Sequence, residues 1–112
     1  MQKIPLRLAP AAFLFSLTTL ALPGAVRAQN DAAKTFKENC ILCHGADASG
    51  NTATGKALKA KDLASAEVQK ESDDELAAII SKGQKKMPAF GSKFSPDVIK
   101  SLVAYIRKLP KK

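Results

Sequence analysis

The chain has 112 residues, and its 18 Lys and Arg against 10 Asp and Glu give a formal charge of +8. That length leads to the expectation of one small domain with a thin core. With one tyrosine and no tryptophan, the basic charge brings too little aromatic surface to support nucleic-acid binding by base stacking.

At the N-terminus, Lys3 and Arg7 precede an apolar run over residues 8–22, and Pro23-Gly24 ends it. Val26 and Ala28 place small residues at the −3 and −1 positions, so residues 1–28 read as a Sec signal peptide cleaved after Ala28. An uncleaved anchor is the alternative. The run is shorter than the roughly 18 residues that span a bilayer and contains Pro10. No cysteine at the cleavage region offers a lipid anchor. The expected mature chain is residues 29–112, without a repeat, a second hydrophobic span or a long linker. Loss of Lys3, Arg7 and Arg27 lowers its charge from +8 to +5.

The mature part patterns as helices, with no strand periodicity. A first helix is expected over residues 31–42 with Asn30 or Asp31 as N-cap, since Ala32, Ala33, Phe36 and Cys40 recur at three- and four-residue steps. Residues 45–55, rich in Gly, Ser, Thr, Asn and Asp, read as an open loop, followed by a weak helical turn over 56–61. Ser72-Asp73-Asp74-Glu75 is a capping box that opens a helix running to Ser81. Leu76, Ile79 and Ile80 face inward there, and Gly83 ends the helix in a left-handed turn. The acidic run needs no metal, because it complements the positive helix N-terminus. Ser95-Pro96 starts a last helix with proline at its first position. Val98, Ile99, Leu102, Val103, Tyr105, Ile106 and Leu109 make its buried face, and Pro110 stops it.

Chemistry concentrates at Cys40-Ile41-Leu42-Cys43-His44, which holds both cysteines and the one histidine of the chain. The C-x-x-C-H pattern reads as a covalent haem c attachment site. Two sulfurs three residues apart lie on one side of a helical turn and can add to the two vinyl groups along one haem edge. The adjacent imidazole is then carried beneath the ring. Three other readings compete. Structural zinc wants four ligands, and only three of the preferred kind are present. A redox dithiol needs a βαβ context. A local disulfide is compatible with export but leaves the histidine without a role.

Met87 is the one methionine of the expected mature chain, in the loop segment Lys86-Met87-Pro88-Ala89-Phe90. A thioether can bind the sixth position of haem iron, and Pro88 stiffens the loop that carries it. The competing reading is a core filler, the usual place of methionine.

The ordered set Phe36-x-x-x-Cys40-x-x-Cys43-His44-Gly45, Met87-Pro88-Ala89-Phe90 and Leu102-Val103-Ala104-Tyr105-Ile106 resembles the small monohaem class I c-type cytochromes over nearly all of residues 29–112. The resemblance implies an all-α cytochrome c fold, with first and last helices crossing near-perpendicularly and haem in the cleft between attachment and methionine loops. It implies thioether bonds at Cys40 and Cys43 and axial ligands His44 and Met87. Two departures stand out. Ala32 takes the place where the family often has a glycine at the helix crossing, so Ala32 and Phe36 are expected to pack near Tyr105. No proline lies between Gly45 and Met87 to offer its carbonyl to the axial imidazole, so a carbonyl within residues 53–56 is expected to replace it. Without tryptophan, the haem propionates also lose a frequent partner.

The implied function is that of a periplasmic, monomeric one-electron carrier, not an enzyme, without stable insertion of the mature chain in a membrane. With both axial positions filled, no iron site is open to substrate. The alternatives are a haem-based gas sensor or weak peroxidase in which Met87 dissociates, or the dedicated acceptor of one periplasmic dehydrogenase. Lys82, Lys85, Lys86 and Lys93 flank the methionine loop and Lys56, Lys59 and Lys61 follow the attachment loop. Together they make a positive collar for redox partners with acidic docking surfaces.

Overall fold

Short polar caps set where the helices begin. The computed structural model describes residues 23–112; the expected signal peptide, 1–28, lies mostly outside the described residues. Six helices follow in order: α1 (Pro23–Asn39), α2 (Ile41–His44), α3 (Ala53–Leu58), α4 (Ala66–Gln69), α5 (Asp73–Lys82) and α6 (Pro96–Arg107). The side chains of Thr52, Ser65, Ser72 and Ser95 each accept from the backbone N–H three residues on, which satisfies a donor that the first helical turn leaves free. The box at α5 closes in both directions, with Glu75 accepting from the Ser72 N–H at 2.7 Å. No strand occurs among the described residues, and the single bridge joins Gln84 to Met87.

Helix α6 is the hub. Ile99, Leu102, Val103 and Ile106 recur at three- and four-residue steps and are all buried, each contributing about 1.5–3 kcal/mol by leaving water. Both α1 and α5 pack against α6, while α2 packs on α3 and on the end of α1. The remaining core comes from Phe36 of α1, Ala48 and Leu63 of the connecting segments, Val68 of α4, and Leu76 and Ile80 of α5. Ala32 is buried, and the Phe36 ring lies 5.1 Å from that of Tyr105, as the helix crossing requires. Arg107 fastens the end of α6 to the turn before α5. Its guanidinium pairs with Asp73 at 2.8 Å and donates to the carbonyls of Gln69 and Glu71.

Several sequence expectations need correction. Helix α1 is already formed at Pro23, the first described residue, and so does not start near Asp31. It stops at Asn39, and Cys40 makes the joint before α2. The 45–55 segment is no open loop, because Ala48 is fully buried and α3 starts at Ala53, three residues before the expected turn. Helix α4 was missed. Gly83 does take positive φ (+75°), but with ψ 168° it leaves the helix extended instead of in a left-handed turn. Helix α6 ends at Arg107, short of Leu109.

Candidate haem attachment site

The end of α1 delivers the attachment motif to the core. Cys40 N–H still donates to Phe36 O at 2.9 Å, and His44 N–H donates to Cys40 O at 2.9 Å, so Cys40, Cys43 and His44 wind through one helical turn. Both thiols are free. Cys40 packs half-buried against the core, and that burial, with Cys43 adding to it and Lys93 opposing, pushes its thiol up to about 11. A setting that penalises a thiolate suits a thioether sulfur, which carries no ionisable proton. Leu42, facing away between the two cysteines, is 70% exposed.

Helix α3 holds this turn from behind. The Thr52 hydroxyl reaches the Leu42 and Cys43 carbonyls at 2.7 and 3.1 Å and accepts from Gly55 N–H at 2.8 Å. Gly55 permits the approach: a Cβ there would collide with the Cys43 carbonyl. Gly50 N–H closes the other side by donating to His44 O at 2.7 Å.

The His44 ring is oriented by the Lys61 carbonyl, 3.0 Å from Nδ1. The expected partner within residues 53–56 is therefore wrong. Those residues belong to α3, where carbonyls are spent on the helix and its cap, Lys56 O accepting from Lys59 N–H. A carbonyl can only accept, so Nδ1 carries a proton and Nε2 is the nitrogen left to bind a metal through its lone pair. That is the arrangement an iron ligand needs.

Met87 lies in the loop between α5 and α6, half-buried against the same core that Cys40 and Ile41 touch. Its backbone is fixed by the bridge to Gln84, with N–H···O distances of 2.9 and 3.2 Å. Gly83 makes the turn possible, since a Cβ there would stand 2.7 Å from the Met87 carbonyl. Phe90 N–H and Gly91 N–H return to Ile80 and Ser81 carbonyls at 2.9 Å each.

These residues fit a haem. The Cys40 sulfur and the Met87 thioether border one core, whose partly covered rim includes Ile41, Phe90 and Phe94, and the turn that starts at Cys40 carries the second free sulfur of Cys43 and the His44 imidazole. They fit a bare metal poorly: among the described residues no three His, Cys, Asp or Glu side chains are grouped to hold one. Thr52, Gly55 and Lys61 are not among the residues the sequence singles out, because they act through hydroxyl, missing Cβ and carbonyl.

A small helical domain that gathers a C-x-x-C-H turn and a methionine loop on one core is a c-type cytochrome. The chain belongs to the cytochrome c family: the family model described as cytochrome C oxidase, cbb3-type, subunit III, matches residues 27–106. It is 35% identical over 77 residues to cytochrome c6 of Microcystis aeruginosa, which spans 68% of this chain and 90% of that protein. Its structure is similar to that of KustC0563 c-type cytochrome, with a TM-score of 0.65 and 38% identity, covering 73% of this chain and 99% of the other.

Proposed function

We propose that the protein is an exported one-electron carrier with one covalent haem c, bound through thioethers at Cys40 and Cys43 and ligated by His44 and Met87. The observation that carries this reading is the 3.0 Å approach of the Lys61 carbonyl to His44 Nδ1, which leaves Nε2 for iron. Bound haem supplies a reversible one-electron iron couple. The chain's own residues do the rest. His44 and Met87 would hold the iron, and the partly covered apolar rim of Ile41, Phe90 and Phe94 would pack against the ring and keep water from it.

Export is supported by the leader pattern of residues 1–28. Among the described residues no helix is long and apolar enough to cross a membrane. The oxidised protein is expected to show a sulfur-to-iron charge-transfer band and, once reduced, to take up no carbon monoxide. Ready carbon monoxide binding by the folded reduced protein would favour the sensor or peroxidase reading instead.

The docking surface is the lysine set around the methionine loop. Lys82, Lys85 and Lys86 are exposed and in no ion pair among the described residues. Lys61 and Lys93 are partly spent, on Glu67 and Asn39. The pair Lys85→Glu/Lys86→Glu should slow electron transfer to an anionic iron–cyanide complex by about tenfold at low salt. The difference should fade as salt screens it. An unchanged low-salt rate rejects these lysines as the docking site.

A further inference from the structure

The ring of His44 is only as well placed as the carbonyl that holds it. Lys61 is exposed and lies between α3 and α4, in a stretch without helix. Something must fix that backbone. On the motif side, Leu63 N–H donates to Ala48 O at 2.9 Å. On the far side, the half-buried amide of Gln69 spans the gap to the hub helix. Its Nε2 donates to Leu63 O at 2.8 Å and to Ile106 O at 3.2 Å. Gln69 is itself immobilised, being the last residue of α4 with its carbonyl accepting from Arg107 Nη1 at 2.9 Å.

We propose that Gln69 is a positioning residue for the imidazole of His44, its side-chain amide tying the 61–63 segment to α6. The proposal rests on the reading of His44 as an iron ligand. Two ion pairs also brace the segment: Lys112 with Asp62 at 2.8 Å and Lys61 with Glu67 at 2.7 Å. Both pairs are solvent-exposed and compete with water and salt, whereas both Gln69 bonds are partly buried between α4 and α6. Neither Gln69 N–H is left for any other partner.

The consequence is electronic as well as mechanical. Donation from Nδ1–H to a carbonyl makes the ring a stronger base at Nε2, which stabilises the more positive, oxidised iron. Loosening Lys61 weakens that donation and favours the reduced state. The reduction potential should therefore rise when Gln69 loses its donors.

The test uses full-length holoprotein with Gln69→Met, which keeps length and removes both N–H groups. Gln69→Asn retains the amide on a shorter stem, and Lys112→Ala serves as comparator. Gln69→Met should raise the midpoint potential. It should also speed solvent exchange of the His44 Nδ1–H resonance in the reduced protein by roughly tenfold, the factor that one lost hydrogen bond of ordinary strength sets. Gln69→Asn should shift both in the same direction by less, and Lys112→Ala should shift neither beyond it. A lowered melting temperature with both readouts unmoved would show Gln69 to be merely structural and overturn the proposal. The wild-type spectrum separates the two levels: without histidine-ligated haem the functional reading fails, whereas with it and unmoved variants only this proposal does.

Discussion

Replacing Cys40 and Cys43 together with serine is expected to leave a chain that loses most of its helical circular dichroism. The described core is small, built from ten buried residues led by α6. A domain of this size buries only about 60–65% of the surface its unfolded chain exposes, so the margin is thin. Around that core Cys40, Ile41, Met87, Phe90 and Phe94 remain only partly covered. A porphyrin tethered at the cysteines would cover them and add a large rigid apolar body. Without it, the rim must meet water, and serine adds a hydroxyl at the half-buried position 40. Far-UV circular dichroism and urea unfolding read the effect: less than about half of the holoprotein's helical signal should remain, without a cooperative transition. The single variant Cys43→Ser should keep one thioether and the fold. Near-native helicity in the double variant would show that the polypeptide core suffices.

What could be read from the residues divides by the kind of signal each carries. The α5 capping box, the Ser95-Pro96 start and the buried stripe of α6 were legible because they are side-chain patterns at helical spacing. Cys40, Cys43, His44 and Met87 stand out as candidates for the same reason, since their chemistry is in the side chain. The Lys61 carbonyl was not legible, since any residue supplies a carbonyl and this one reaches His44 across 17 positions. Expecting a partner near the site of a missing proline led to residues 53–56, which α3 occupies. Ala48 misled for the opposite reason: an alanine among polar neighbours looks like loop, yet its small side chain is what the core admits there. Short α4 offered too few residues for a period to emerge.

The supports of the site share one logic. Thr52 and Gly50 grip the attachment turn through its carbonyls, and Gly55 lets α3 approach it. Leu63 and Gln69 grip the segment that grips His44, and the carbonyls of Ile80 and Ser81 at the end of α5 grip the methionine loop. Each candidate ligand thus hangs from backbone that is hydrogen-bonded on both sides, and two of the three supports lead back to α5 and α6. That arrangement suits electron transfer, in which the ligands should move little between oxidation states.

Met87→Ala is expected to open the sixth position while leaving the loop in place. The loop's shape depends on main-chain bonds, from Gln84 to Met87 and from Phe90 and Gly91 back to α5, and on the positive φ of Gly83. None of these uses the thioether. The side chain is half-buried, so truncation should cost less than the roughly 2–5 kcal/mol of a full core deletion. The redox consequence should be much larger. A thioether is a weak donor that favours reduced iron. Its loss should lower the midpoint potential by about 0.1–0.3 V, a fraction of the roughly 0.8 V that axial ligands span. The charge-transfer band should vanish, and carbon monoxide should bind the reduced variant readily. Met87→His should restore six-coordination at a low potential, which separates the effect of an empty site from that of a changed ligand. Gly83→Ala should disturb the same band with Met87 intact, because a Cβ at that φ presses on the Met87 carbonyl. An unaltered potential in Met87→Ala, with no uptake of carbon monoxide, would mean that some other group closes the iron.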